Sequence, residues 1–274
     1  MKYLICSKKY LLILFVQMSL HSFSQSQPND PKATEVWEPK PKIVTPGKLC
    51  AEPPADAIIL FDGSNLNEWQ NPQFKGEAGT IEGIEKILKE WDENFKHIDA
   101  GWNIANKELI VKPGNGAIET KKRFSNFQLH IEWLSPDAVG KQGQGYSNSG
   151  IFLMSLYELQ VLNSYDNQTY SNGQAGSIYK QAIPSANASR PPGEWQVYDV
   201  AFSAPVFGEK GELVYPARVT VFHNGVLIHN NIELKGPTCF IGQTKPLVHP
   251  AKMPIRLQDH GDPVKFRNIW IREL

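Results

Sequence analysis

Residues 218–234 read RVTVFHNGVLIHNNIEL, and this stretch decides the fold class. Apolar and polar residues alternate on both sides of Asn224-Gly225, the pattern of a strand with one face buried. Asn-Gly is the dipeptide that a two-residue hairpin turn favours, because both central positions need positive φ. The stretch therefore predicts two antiparallel strands joined by a tight turn, with His223 and Asn224 structural.

The same texture extends outward in both directions. AIILFD, ELIVK, FQLHIEWL, GIFLMS, YELQVL, WQVYDVAF and KFRNIWIREL are short and rich in Val, Ile, Phe and Trp. Gly- and Pro-rich loops separate them. Many short strands of this kind predict an all-β sandwich or jelly roll of two sheets. One segment differs. Ile81, Ile84, Ile87, Leu88, Trp91, Phe95 and Ile98 recur at three- and four-residue steps, which predicts an inserted amphipathic helix over about 81–98.

The ends bound the rest. Lys2, Lys8 and Lys9 precede a short apolar run, and small residues follow it, so residues 1–24 read as a signal peptide and the protein as periplasmic or secreted. The run is too short to span a bilayer well, and no other stretch is long enough. Residues 25–55 are Pro-, Lys- and polar-rich and read as an extended linker or arm. Residues 56–274 then form a single jelly-roll domain. The chain carries 28 basic and 28 acidic residues, so neither nucleic acid nor an anionic membrane surface is indicated as a partner. Two cysteines, Cys50 and Cys239, remain after the leader, and their pairing is left open.

Chemistry concentrates in residues 148–181, NSGIFLMSLYELQVLNSYDNQTYSNGQAGSIYKQ. Planar amides, aromatics and a carboxylate within the strand, Glu158, are the side chains that sugars need. In YELQVL, Leu159 and Val161 should face the core, leaving Glu158 and Gln160 together on the other face. Glu158 is the first candidate base. In QLHIEWL, His130 and Glu132 share a face and could share a metal or a proton. In LQDHGDP, Gln258 and His260 share a face beside a glycine, so His260 is the third catalytic candidate, after Glu158 and Glu132. Asn148, Tyr157, Tyr165, Tyr179 and Arg267 are further candidates for contact with substrate. His130, Glu132, Glu158 and His260 would together make a mixed N/O site for a divalent metal, although they share no recognised ligand spacing.

FDGSNLNEW, ELIVKPGNGAIETKKRFSNFQLHIEW, GQGYSNSGIFL, YELQVLNSY, GSIYKQ, PPGEWQVYDVAF, RVTVFHNGVLIHNN and LQDHGDPVKFRNIWIREL occur in that order. Together they resemble the 3-keto-disaccharide hydrolase domain, formerly the domain of unknown function 1080, over residues 57–274. The resemblance implies a concanavalin A-like (lectin/glucanase) jelly roll. It also implies cleavage of glycosides already oxidised at C3 by a partner sugar 3-dehydrogenase, through elimination or net hydrolysis. The helical segment departs from the family pattern. A carbohydrate-binding module without catalysis is the alternative, since jelly rolls serve both purposes. An ordinary glucanase would show paired carboxylates on one strand, and YELQVLNSYD holds a single one within its strand.

Overall fold

Strict alternation and turn chemistry build the architecture. The computed structural model describes residues 40, 45, 47–49, 51–73, 79–89, 91 and 96–274. The expected leader at 1–24, much of the 25–55 arm and Cys50 lie outside the described residues. Val44–Leu274 forms one compact unit.

The larger sheet has eight strands. Seven run in the order β14 (Val226–Glu233), β13 (Arg218–His223), β10 (Trp195–Ser203), β7 (Phe127–Leu134), β16 (Lys265–Glu273), β5 (Glu108–Ile110) and β4 (Asn103–Ala105), with β1 (Ile58–Phe61) also on β16. The second sheet has six: β3 (Lys96–Asp99), β2 (Trp69–Gln73), β6 (Ile118–Thr120), β15 (Arg256–Leu257), β8 (Ser149–Leu153) and β9 (Tyr157–Val161). All pairings are antiparallel. A small hairpin of β11 (Val206–Phe207) and β12 (Leu213–Tyr215) stands apart. The expected hairpin joins β13 to β14, with φ of 51° at Asn224 and 82° at Gly225.

The core lies between the sheets. Leu129, Ile131, Val200 and Phe266 from the eight-stranded sheet share one apolar cluster with Ile118, Ile151, Leu159 and Leu257 from the six-stranded sheet. Burial of this size is the main drive for folding. Two contacts fix how the sheets face each other. Tyr198 on β10 donates its hydroxyl to the Gln160 carbonyl on β9 at 2.9 Å. The rings of Tyr157 on β9 and Phe202 on β10 lie 5.7 Å apart. This is the two-sheet all-β sandwich expected from the strands.

The inserted helix is shorter than its sequence pattern. It covers Ile81–Lys89 (α1), with Ile81, Ile84 and Ile87 buried. Thr80 caps it, accepting from Gly83 N at 3.1 Å. Residues 96–99 instead pair with β2 as an edge strand, and Ile98 is exposed there. A short apolar spacing at an edge satisfies both periods, and pairing with β2 decides the matter. Among the described residues no helix is long and apolar enough to cross a membrane. Cys239 is a free, buried thiol.

Candidate active site

The outward face of the six-stranded sheet carries the chemistry. One cross-strand row runs Glu119, Arg256, Phe152, Glu158 from β6 to β9. Two residues further along lies a second row: Gln258, then Gly150 and Gln160, held by Gln258 N donating to Gly150 O at 3.0 Å. Period-two geometry puts both rows on one face. From these rows Phe152, Glu158, Gln160, Arg256 and Gln258 floor a cavity of about 680 Å³, walled by Gln144, Asn148, Tyr170, Tyr179, Phe240 and His260. A cavity of this size holds a sugar ring with room to spare.

Glu158 is 5% exposed, and its carboxyl has no hydrogen bond or ion pair among the described residues. Burial alone pushes its pKa up to about 8. Its backbone is fixed on both sides. Glu158 N donates to Thr238 Oγ1 at 2.9 Å, and Glu158 O accepts from Tyr179 N at 3.1 Å. The space for the carboxyl exists because position 150 is glycine, since a Cβ there would lie 2.5 Å from Glu158 Oε1.

Two amides are arranged around this acid. Gln160 Nε2 donates to Asn148 Oδ1 at 3.1 Å, while Asn148 Nδ2 donates to Gln144 O at 3.0 Å. That orientation leaves Gln160 Oε1 buried without a partner among the described residues, as is Gln258 Oε1. Unpaired buried acceptors are costly and mark places where a ligand's hydroxyls fit. Opposite them, the hydroxyls of Tyr170 and Tyr179 are 2.6 Å apart. Burial, that bond and the nearby charges of Tyr170 and Glu158 hold the Tyr179 hydroxyl above its ordinary pKa, so it keeps its proton.

Arg256 is the fixed cation of the cavity. Its Nη2 lies 3.7 Å from Glu119 Oε2, and its guanidinium sits 5.7 Å from the Trp91 ring and 6.0 Å from that of Phe152. Burial lowers its pKa, and Glu119 works against that loss. Glu119 also meets His97 Nε2 at 3.1 Å. The inserted helix, through Ile84 and Ile87, packs beside Trp91 and Arg256. It thus closes the Arg256 end of the cavity.

Several expected residues come together here: Glu158, Gln160, Asn148, Tyr179, Gln258 and His260 all line the cavity. Others stand elsewhere. Tyr157 points into the core, its hydroxyl 2.9 Å from His249 Nε2, because alternation groups it with Leu159 and Val161 rather than with Glu158. Tyr165 is 47% exposed and lies outside the cavity lining. His130 and Glu132 sit on β7 in the opposite sheet, so they share no site with Glu158 and His260. The four-ligand metal site is therefore not assembled. Among the described residues no group of three or more His, Cys, Asp or Glu is gathered to hold a metal ion.

His130 and Glu132 instead belong to a packed ionic cluster. His130 Nδ1 meets Asp199 Oδ1 at 2.6 Å, and the ring stacks on Trp270 at 5.1 Å. Burial opposes its charge, but bonds to Asp199 and Glu132 outweigh that and raise its pKa to about 9. Glu132 is likewise disfavoured by burial. Bonds from His130, Asn268 and Arg267 reverse the effect and lower it to about 2. Arg267 Nε donates to Glu132 at 2.6 Å and its guanidinium lies 4.0 Å from the Trp195 ring, so it stands on the eight-stranded sheet and outside the lining of the Glu158 cavity. The arm covers this cluster, Ala51 O accepting from Asn268 at 2.9 Å and from Trp270 at 3.2 Å.

Known proteins place the chain. It is 24% identical over 258 residues to the 3-keto-disaccharide hydrolase of Bacteroides thetaiotaomicron, covering 81% of this chain and 80% of that one. A provisionally named glycosyl hydrolase from Parabacteroides distasonis superposes with a TM-score of 0.76 at 42% identity, covering 89% of this chain and 97% of that chain. A second provisionally named glycosyl hydrolase from that organism, 17% identical with a TM-score of 0.53, shares the fold. Residues 56–272 match the model of the 3-keto-alpha-glucoside-1,2-lyase-like domain, and the chain belongs to that family.

Proposed function

We propose that this chain is a glycosyl hydrolase-like enzyme that cleaves glycosides carrying a ketone at C3, with Glu158 as the base. The single observation that carries the reading is a buried carboxyl with no partner among the described residues, its pKa raised to about 8, at the floor of a sugar-sized cavity. The names of the family and of its Bacteroides relative supply the 3-keto substrate class.

A C3 ketone acidifies the proton on C2. Glu158 in its charged form takes that proton, and the electron pair forms an enolate. A carboxylate with a raised pKa is a stronger base than an ordinary one, and it is charged over a useful range of pH. Charge grows on the ketone oxygen as the proton leaves. Arg256 is the cation in the cavity that can hold it, and a fixed cation in a site shielded from water stabilises such charge strongly. The enolate then collapses, a C1–C2 double bond forms and the C1–O bond breaks. The leaving oxygen takes a proton from the Tyr170–Tyr179 hydroxyl pair. Net hydrolysis follows when water adds its oxygen to C1 and gives a proton back to the tyrosine pair, while the proton held by Glu158 returns to C2, so both groups are restored. Gln160 Oε1 and Gln258 Oε1 accept from ring hydroxyls.

The substrate must come from an oxidation at C3, so a sugar 3-dehydrogenase is the proposed functional partner. Export to the periplasm or beyond is proposed from the leader pattern of residues 1–24.

The test is exchange at C2. A 3-keto-glycoside incubated with the protein in heavy water should gain deuterium at C2 and be cleaved, and Glu158→Gln should abolish both. Binding with neither exchange nor cleavage would instead make the chain a carbohydrate-binding module.

A further inference from the structure

A second cavity of about 420 Å³ adjoins the first, and Tyr170 and Tyr179 line both. Its chemistry is different. Lys180 and Lys235 line it together with Asn172, Gln181 and Gln243, and among the described residues no carboxylate does. Neither lysine makes a salt bridge among the described residues. Lys180 is held in place, its ammonium donating to Phe240 O at 2.6 Å and lying 4.4 Å from the Phe240 ring. Gln181 is also fixed. Its Nε2 donates to Gly236 O and its Oε1 accepts from Lys235 N, both at 2.9 Å. The wall that carries the two cations is thus tied to the loop that carries Thr238 and Phe240 of the first cavity.

We infer that this second cavity is the leaving-group subsite and that it takes an anionic leaving group, one bearing a carboxylate or a phosphate. The scissile bond would cross the tyrosine pair, with the 3-keto ring over Glu158 and the charged group between Lys180 and Lys235. Two cations in a lining that holds no carboxylate among the described residues attract anions, against the more distant charge of Glu82, which reaches Cys239, and amides beside them satisfy the remaining oxygens. The placement of the scissile bond rests on the proposed function. The anion preference of the cavity does not.

The experiment is a titration of the full chain, followed by isotope-edited NMR, with glucose, glucuronate and glucose 6-phosphate. The account expects one of the two anions to bind at least ~10-fold more tightly than glucose, with shifts at Lys235, Gly242 and Gln243. Whichever anion leads identifies the charged group as carboxylate or phosphate. Lys235→Met and Lys180→Gln, each checked for an unchanged melting temperature, should each remove most of the preference. Raising salt should weaken it, and Glu158→Gln should leave it intact. Equal binding of all three sugars, or a preference untouched by both lysine variants, would overturn the inference. Anion binding in a protein that cleaves no 3-keto-glycoside would sustain the subsite and refute the catalytic reading alone.

Discussion

The Glu158 carboxyl occupies the space above Gly150, where a Cβ would stand 2.5 Å from Oε1 and 3.0 Å from Cγ of Glu158. Gly150 and Glu158 lie on neighbouring strands, offset by one row of the sheet. Gly150 has no unusual φ to justify a glycine, so the missing side chain serves the acid next to it.

Gly150→Ala therefore tests positioning apart from folding. The clash falls on the movable ends of Glu158 and Phe152, so the melting temperature should change little. The displaced carboxyl should lower kcat by about 10–100-fold, since a shift of about 1 Å can cost that much. A fully active Gly150→Ala enzyme would show that the carboxyl's position is unimportant.

Glu158 should also be a destabilising residue at high pH. Its folded pKa, about 8, stands above the ordinary 4.5, so its favourable contribution is present below pH 4.5 and is lost as pH rises through 8. Glu158→Gln removes a buried group that resists ionisation. The variant should be about as stable as the parent near pH 4.5 and more stable by a few kcal/mol near pH 9. Parallel chemical denaturation curves at the two pH values check this.

The same group fixes the pH dependence of turnover. The base is active when charged, so kcat/KM for a 3-keto-glycoside should climb tenfold per pH unit below about 8 and level above it. A plateau already reached at pH 5 would mean that another group takes the proton.

The His130–Glu132 cluster on the eight-stranded sheet should behave oppositely. Glu132→Gln breaks the bonds to Arg267 and His130 far from the cavity and should cost about 2–4 kcal/mol of stability while sparing kcat. The sign follows from two shifts. His130 stabilises fully below pH 6.5, and that contribution is lost as pH rises through about 9. Glu132 stabilises above pH 4.5, and its contribution is lost as pH falls towards 2. The stability difference between parent and variant should thus peak between pH 4.5 and 6.5, which thermal melts across pH will measure.

The fold was legible because its signals are local. Asn224-Gly225 names its own turn, and alternation in FQLHIEWL or YELQVL separates the core face from the other without tertiary information. The same rule would have placed Arg256. In IRLQDH, Ile255 and Leu257 are buried, so Arg256 falls on the face of Gln258. It would equally have put Tyr157 in the core beside Leu159. What alternation cannot supply is which of two sheets a polar face belongs to. His130 and Glu132 satisfy the same local pattern as Glu158 and Gln160, yet β7 and β9 lie in different sheets. The contributions of Tyr170, Phe240 and Trp91 were out of reach for a related reason, since loops and an inserted helix bring them to the cavity from distant parts of the chain.

The most direct test is product analysis by mass spectrometry after the protein meets a 3-keto-glycoside and its unoxidised parent side by side. The account predicts cleavage of the keto form only, lost in Glu158→Gln. Cleavage of the unoxidised parent at a comparable rate, or an undiminished Glu158→Gln enzyme, would contradict it.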